Sequence, residues 1–157
     1  MDYAYHVTYV KNLAGIAQKG LGVGRRSGMS LPGYAGHSLR KLFFSEYEDI
    51  GEWYFHAEAF AESETDNILL DEFIPVVVAF PWPDIYEQDE ASDKGFYAWT
   101  PVPADKIKLW DGSKWKPIRK AGPIDVQQAL DHEIEDGQAL VWFRQQSDNP
   151  LANPEEL

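Results

Sequence analysis

His6 and Thr8 stand two residues apart in the opening stretch YHVTYV. Alternation turns every second side chain of a strand to the same face, so an imidazole and a hydroxyl would lie side by side, a donor and acceptor pair for a polar ligand. Arg25 and Arg26 follow in a glycine-rich stretch, and the planar fork of arginine matches phosphate oxygens. The bland alternatives are a structural histidine and ordinary solvated loop arginines. Other chemistries find no support. The four histidines, His6, His37, His56 and His132, show no metal-ligand spacing, so no metal is expected. With no cysteine there is no thiol nucleophile and no disulfide. GLGVG lacks the Lys-Ser/Thr of a phosphate loop, and there is no Gly-x-Ser-x-Gly elbow.

The elements that would position these residues follow from periodicity. YAYHVTYV, residues 3–10, alternates β-branched and aromatic residues and predicts a strand. Asn12 is placed to cap a helix over Leu13 to Lys19, with Leu13, Ile16 and Ala17 as its apolar stripe and Gly20 as its stop. GVGRRSGMSLPGYAGHS must be a long loop. LRKLFFS predicts a second strand. EDIGEWYFHAEAFAESE predicts a helix with Ile50, Trp53, Tyr54, Ala57 and Phe60 at helical spacing. FIPVVVAFPW predicts a buried third strand, YEQDEASDKG an acidic loop, and FYAWTPV a further strand. KIKLWDG and SKWKPIRK predict a hairpin turning at Asp111–Gly112. A helix is expected from Ile124 to about Gln145. The result is an α+β chain of one domain, residues 1–146, with a flexible polar tail over 147–157.

Charge is distributed in blocks. The net charge of −12 hides a balance of +5 in residues 1–41 and again in 94–120, while residues 42–93 hold fifteen Asp and Glu and neither Lys nor Arg. The two basic segments could converge on an anionic ligand. The chain has 44% hydrophobic residues, no cysteine, no apolar run of about 18 residues and no secretion signal, which predicts a cytoplasmic protein without membrane association.

Taken together, YHVT, the helix NLAGIAQKGL, the loop with Arg25 and Arg26, LFFS and Trp53–Tyr54 resemble the ADP-ribosyltransferase superfamily. The nearest types are the RNA 2′-phosphotransferases and the DNA-thymidine ADP-ribosyltransferase toxins. The resemblance covers the first third of the chain by motif and the rest by order of elements. It implies a split mixed β-sheet flanked by helices, with a C-terminal helix, and NAD as the bound dinucleotide. His6 would bond a ribose hydroxyl, Thr8 would support that ribose, and the backbone of Val7 would grip the nicotinamide carboxamide. Val7 stands where the family often has glycine. Phe43 and Tyr54, with Ser45 between them, stand at the spacing of the aromatic walls around nicotinamide, where stacking and cation–π attraction suit a flat cationic ring. As plain core residues they would need no such role. Arg25 or Arg26 would meet phosphate.

The resemblance also implies transfer of ADP-ribose to a protein, DNA or RNA, in the manner of a bacterial or phage effector or toxin, with a cognate inhibitor or partner protein as a further partner. Many members carry a glutamate opening a late strand; here GFYAWTPVPADKIKLW has none. Asp93 is the nearest acid in sequence, with Glu87, Asp89 and Glu90 in the same loop and Glu46, Glu48 and Glu52 beside the aromatic wall. Two alternatives therefore stand. One is an RNA 2′-phosphotransferase-like enzyme using Arg25, Arg26, His37, Arg40 and Lys41. The other is a non-catalytic acidic protein that engages a basic partner or mimics nucleic acid.

Overall fold

The first strand, β1 (Tyr3–Tyr9), forms where the alternation lies. A computed structural model describes residues 3–22, 41–65, 74–112, 114–120, 142, 145 and 153–156. The chain leaves β1 through a 3-10 turn, Val10–Asn12, and enters helix α1 (Leu13–Lys19). Asn12 already has helical backbone angles there, so its side chain makes no capping bond and instead donates to Thr8 Oγ1 at 3.1 Å. The expected cap is thus corrected to a tether on the strand. Gly20 ends α1 at φ 81°, and the next residue, Leu21, bridges to Val102.

Strand β2 (Leu42–Phe44) and helix α2 (Ile50–Thr65) follow. Ile50, Tyr54, Ala57 and Ala61 are buried along α2, while Trp53 and Phe60 are half-buried. Strand β3 (Pro75–Pro81) is apolar nearly throughout because it is covered on both faces. The acidic stretch expected as a loop contains a short strand, β4 (Glu87–Gln88), which turns back into β5 (Phe96–Ala98). Strands β6 (Lys108–Trp110) and β7 (Trp115–Pro117) form the expected hairpin, with Gly112 at φ 99°. Its buried Asp111 accepts from Lys114 N–H at 2.8 Å and pairs with Lys116 Nζ at 3.2 Å, which offsets the cost of burying a carboxylate.

Two sheets result, in the orders β1-β3-β6-β7 and β2-β5-β4, an α+β architecture. Every ladder among the described residues is antiparallel, which corrects the expected mixed sheet. Short hairpins force this for β4–β5 and β6–β7. On one face of the larger sheet Ala4, Val76, Val78, Phe80 and Leu109 pack with Leu13 and Ile16 of α1 and with Leu42 and Phe44 of the smaller sheet. On the other, Tyr5, Val77, Ala79, Trp110 and Trp115 pack with Ile50 and Tyr54 of α2. The expected C-terminal helix lies outside the described residues except for Trp142 and Gln145, both helical. In the tail, Pro154 is buried and its carbonyl accepts a bond from the Lys108 ammonium, so this part is anchored.

Candidate functional site: the fork between the two sheets

The two sheets meet at one point. Tyr5 and Ser45 exchange both backbone bonds, N–H to carbonyl, at 3.0 and 2.9 Å. Antiparallel geometry then fixes the next step. Residues of β1 with odd numbers turn their backbone groups outward, since Tyr5 bonds Ser45 on that side while Val10, at the strand's end, bonds Ile74 on the β3 side. Val7 therefore directs its N–H and C=O away from β3. A continuing ladder would pair it with Phe43. Instead the Phe43 carbonyl accepts a hydrogen bond of 2.7 Å from His6 Nδ1. The imidazole has replaced the backbone partner, and no strand among the described residues pairs with the outer edge of Val7.

A carbonyl only accepts, so Nδ1 of His6 carries the proton and Nε2 of the neutral ring presents a lone pair. Burial lowers the His6 pKa below its ordinary value of 6.5, against a smaller upward pull from the Phe43 carbonyl. The ring is thereby held neutral at pH 7 in one tautomer. Thr8, buried on the same face, receives the Asn12 amide at its hydroxyl oxygen and keeps its own O–H to donate.

Register carries the site across the smaller sheet. Phe44 pairs with Phe96, so Ser45 lies opposite Gly95, and Asp89 N–H bonds Gly95 O at 2.9 Å. Tyr5, Ser45, Gly95 and Asp89 thus form one row. The next row runs from Phe43 through Tyr97 to Glu87, with the Phe43 and Tyr97 ring centroids 5.9 Å apart and Tyr97 O–H donating 2.6 Å to Glu87 Oε2. That bond to Glu87, more than burial, pushes the Tyr97 pKa up to about 12, and Lys41 Nζ stands 4.4 Å above the same ring.

Asp89 is the acid that sequence order did not single out. Its side chain is 5% exposed; Oδ1 accepts from Ala91 N–H at 3.0 Å, and Oδ2 is buried with no hydrogen-bond partner among the described residues. A Cβ added to Gly95 would meet Trp53 Cζ2 at 3.0 Å and Asp89 Oδ2 at 3.4 Å, so this glycine leaves the space that the Asp89 carboxylate and Trp53 fill. Asp93, nearest in sequence to β5, is exposed in the turn. The one signal for Asp89 was the turn bond of an aspartate to the N–H two residues on, which only the hairpin context makes legible.

His6, Val7, Thr8, Phe43 and Ser45 are therefore brought together at the fork. Tyr54 is 3% exposed and belongs to the cluster on the α2 face against which Val7 packs, opposite the face of His6 and Thr8. Arg25 and Arg26, like His37 and Arg40, lie outside the described residues. No group of three or more metal-ligating side chains stands among the described residues. Comparison with family models, curated proteins and solved structures finds no match.

Proposed function

We propose that this chain binds NAD at the fork between its two sheets and transfers ADP-ribose to a macromolecule, on an ADP-ribosyltransferase-like scaffold. The observation that carries the reading is the insertion of His6 into the β1–β2 ladder. It leaves Val7 with one donor and one acceptor facing the fork, the complement of a carboxamide.

A second observation fits the same ligand. From the edge of β1 to the Asp89 carboxylate over Gly95 is two strand spacings, roughly 10 Å, the scale of a nicotinamide with its ribose. NAD supplies a glycosidic bond to a neutral leaving group, and positive charge grows on the ribose as that bond lengthens. Asp89, with an oxygen free of hydrogen bonds in a buried setting, supplies the negative charge that the absent late-strand glutamate would give, a stabilisation of about 3–4 kcal/mol when such a group is lost. His6 and Thr8 orient the dinucleotide, Val7 holds its carboxamide, Phe43 flanks the ring, and Arg25 or Arg26 meets the phosphates, while Tyr54 belongs to the α2-face cluster that backs Val7. The acceptor nucleophile forms the new bond to the ribose carbon and gives up its proton as nicotinamide leaves with the bonding pair.

The test uses NAD labelled in its adenylate phosphate, incubated with cell lysate and the wild type, His6→Ala or Asp89→Asn, followed by protease, DNase and RNase digestion. Label should move to one digestible class. His6→Ala should lose NAD binding and transfer together, whereas Asp89→Asn should keep binding and lose transfer by at least 100-fold. Absence of NAD binding in the wild type would leave the acidic interaction reading in its place, to be probed by charge reversal within residues 42–93.

A further inference from the structure

The basic segments that lie far apart in sequence come together in the fold. Helix α1 packs against the 3-10 turns Ala104–Lys106 and Ile118–Lys120, which pack against each other. Their shared core is Leu13, Ile16, Ala104, Ile107 and Ile118. The bond from Ile118 N–H to Ile107 O, 3.0 Å, sets Lys106 and Arg119 beside a bonded pair, one on each turn. Lys19, Lys106, Arg119 and Lys120 are all exposed. None of them has a carboxylate within ion-pairing distance among the described residues; Asp105 is the one acid in the two turns. Like charges set this close repel, and no ion pair among the described residues compensates them.

We infer that this surface binds the phosphate backbone of a single-stranded nucleic acid. Among the described residues, Glu52 and Glu58 of α2 lie across the larger sheet, two packed layers or roughly 20 Å away, and exposed charges are screened over about 10 Å at 0.1 M salt. The acidic hairpin turn is held on that far side as well, by Glu52 to Lys94 at 2.7 Å and by Trp53 Nε1 donating to Lys94 O at 3.2 Å. An exposed ring favours nucleic acid over an acidic peptide. Trp99 is 46% exposed, edge-on to Tyr97, and lies three residues before Val102, which bridges to the end of α1. A basic strip with an exposed indole three residues along the chain from the bridge at its edge offers both parts of such a grip, cations for phosphates and a ring on which a base can stack. This surface is independent of the NAD reading.

The experiment is fluorescence polarisation of the full chain with a 20-nucleotide single strand, DNA and RNA in turn, from about 50 to 200 mM NaCl. The variants are Lys106→Glu/Arg119→Glu/Lys120→Glu, the milder Arg119→Gln/Lys120→Gln, Trp99→Ala, Lys94→Glu and His6→Ala, each checked for an unchanged melting curve. The wild type should bind with a salt-dependent affinity. The triple reversal should weaken binding at least tenfold at the lowest salt and flatten the logarithmic salt slope by about 2, near 0.7 for each lost phosphate contact. The milder pair should show about two-thirds of that slope change, and Trp99→Ala should weaken binding about tenfold. Lys94→Glu and His6→Ala should bind as the wild type does. The inference is overturned by no binding at 50 mM salt, by a triple reversal equal to the wild type, or by equal binding of poly-glutamate, which would assign the surface to an acidic protein.

Discussion

His6 does two jobs with one ring. Its Nδ1–H replaces a backbone donor on the Phe43 carbonyl, and its Nε2 remains a lone pair at the mouth of the fork. Because burial holds the folded pKa below 6.5, the unfolded chain binds more protons below that pH. Stability from this residue is complete above about pH 6.5 and falls as the pH drops towards the folded value, by about 1.4 kcal/mol for each unit of difference. Urea unfolding between pH 7.5 and 5 should show this slope, and His6→Gln, whose amide can still donate to Phe43, should remove it. An unchanged slope in the variant would place the titration on another histidine. The presence of His6 and Thr8 on one face was legible from alternation alone. The carbonyl that His6 takes was not, because Phe43 lies 37 residues away and its direction depends on the pairing of β2 with β5.

At the scale of elements, α1 and its stop show how a local rule acquires a tertiary consequence. Gly20 is marked in sequence as a helix terminator, and its φ of 81° fits that reading. The added constraint is the Val102 carbonyl oxygen, with which a Cβ at Gly20 would collide. That carbonyl is the acceptor for Leu21 N–H at 2.9 Å, and Leu21 returns the bond to Val102 N–H at 3.1 Å. Gly20→Ala should therefore cost more than the roughly 1 kcal/mol of a left-handed backbone angle. A loss of about 2–4 kcal/mol is expected as the bridge opens, measured by chemical denaturation. A cost near 1 kcal/mol would mean that the bridge shifts without breaking. Both helices were readable from their apolar periodicity, as were the third strand and the hairpin at Asp111–Gly112. The two-residue strand β4 was not: Glu87 and Gln88 are exposed and polar, and only pairing with Phe96 and Tyr97 makes them a strand.

At the scale of the whole molecule, the described residues set Glu52 and the acidic β4–β5 turn on the α2 side of the larger sheet, and Lys19, Lys106, Arg119 and Lys120 on the α1 side. The acids repel one another: burial raises the Asp49 pKa above its ordinary value, and neighbouring Glu48, Glu52 and Asp93 add to the rise while Lys94 opposes it. Exposed pairs such as Glu52–Lys94 return little, because water and salt screen them. Repulsion within each block should dominate, so added salt should stabilise. The melting temperature should rise roughly 2–4 °C between low salt and about 0.2 M NaCl, equivalent to about 1 kcal/mol. A falling curve would show that ion pairs outweigh repulsion.

Composition, alternation and turn residues determined the α+β class, the first strand, both helices, the buried third strand and the shared face of His6 and Thr8. Those features depend on neighbours within a turn or a strand of the same chain segment, where periodicity carries the information. Tertiary structure alone decided that β1–β3, β3–β6 and β2–β5 pair antiparallel, that His6 opens the β1–β2 ladder, that Asp89 rather than Asp93 occupies the space over Gly95, and that α1 with Lys19 packs on the two basic 3-10 turns. Each of these is set by which strand edges find each other. That outcome depends on hydrogen-bond register and core packing between residues tens of positions apart, which no local pattern encodes.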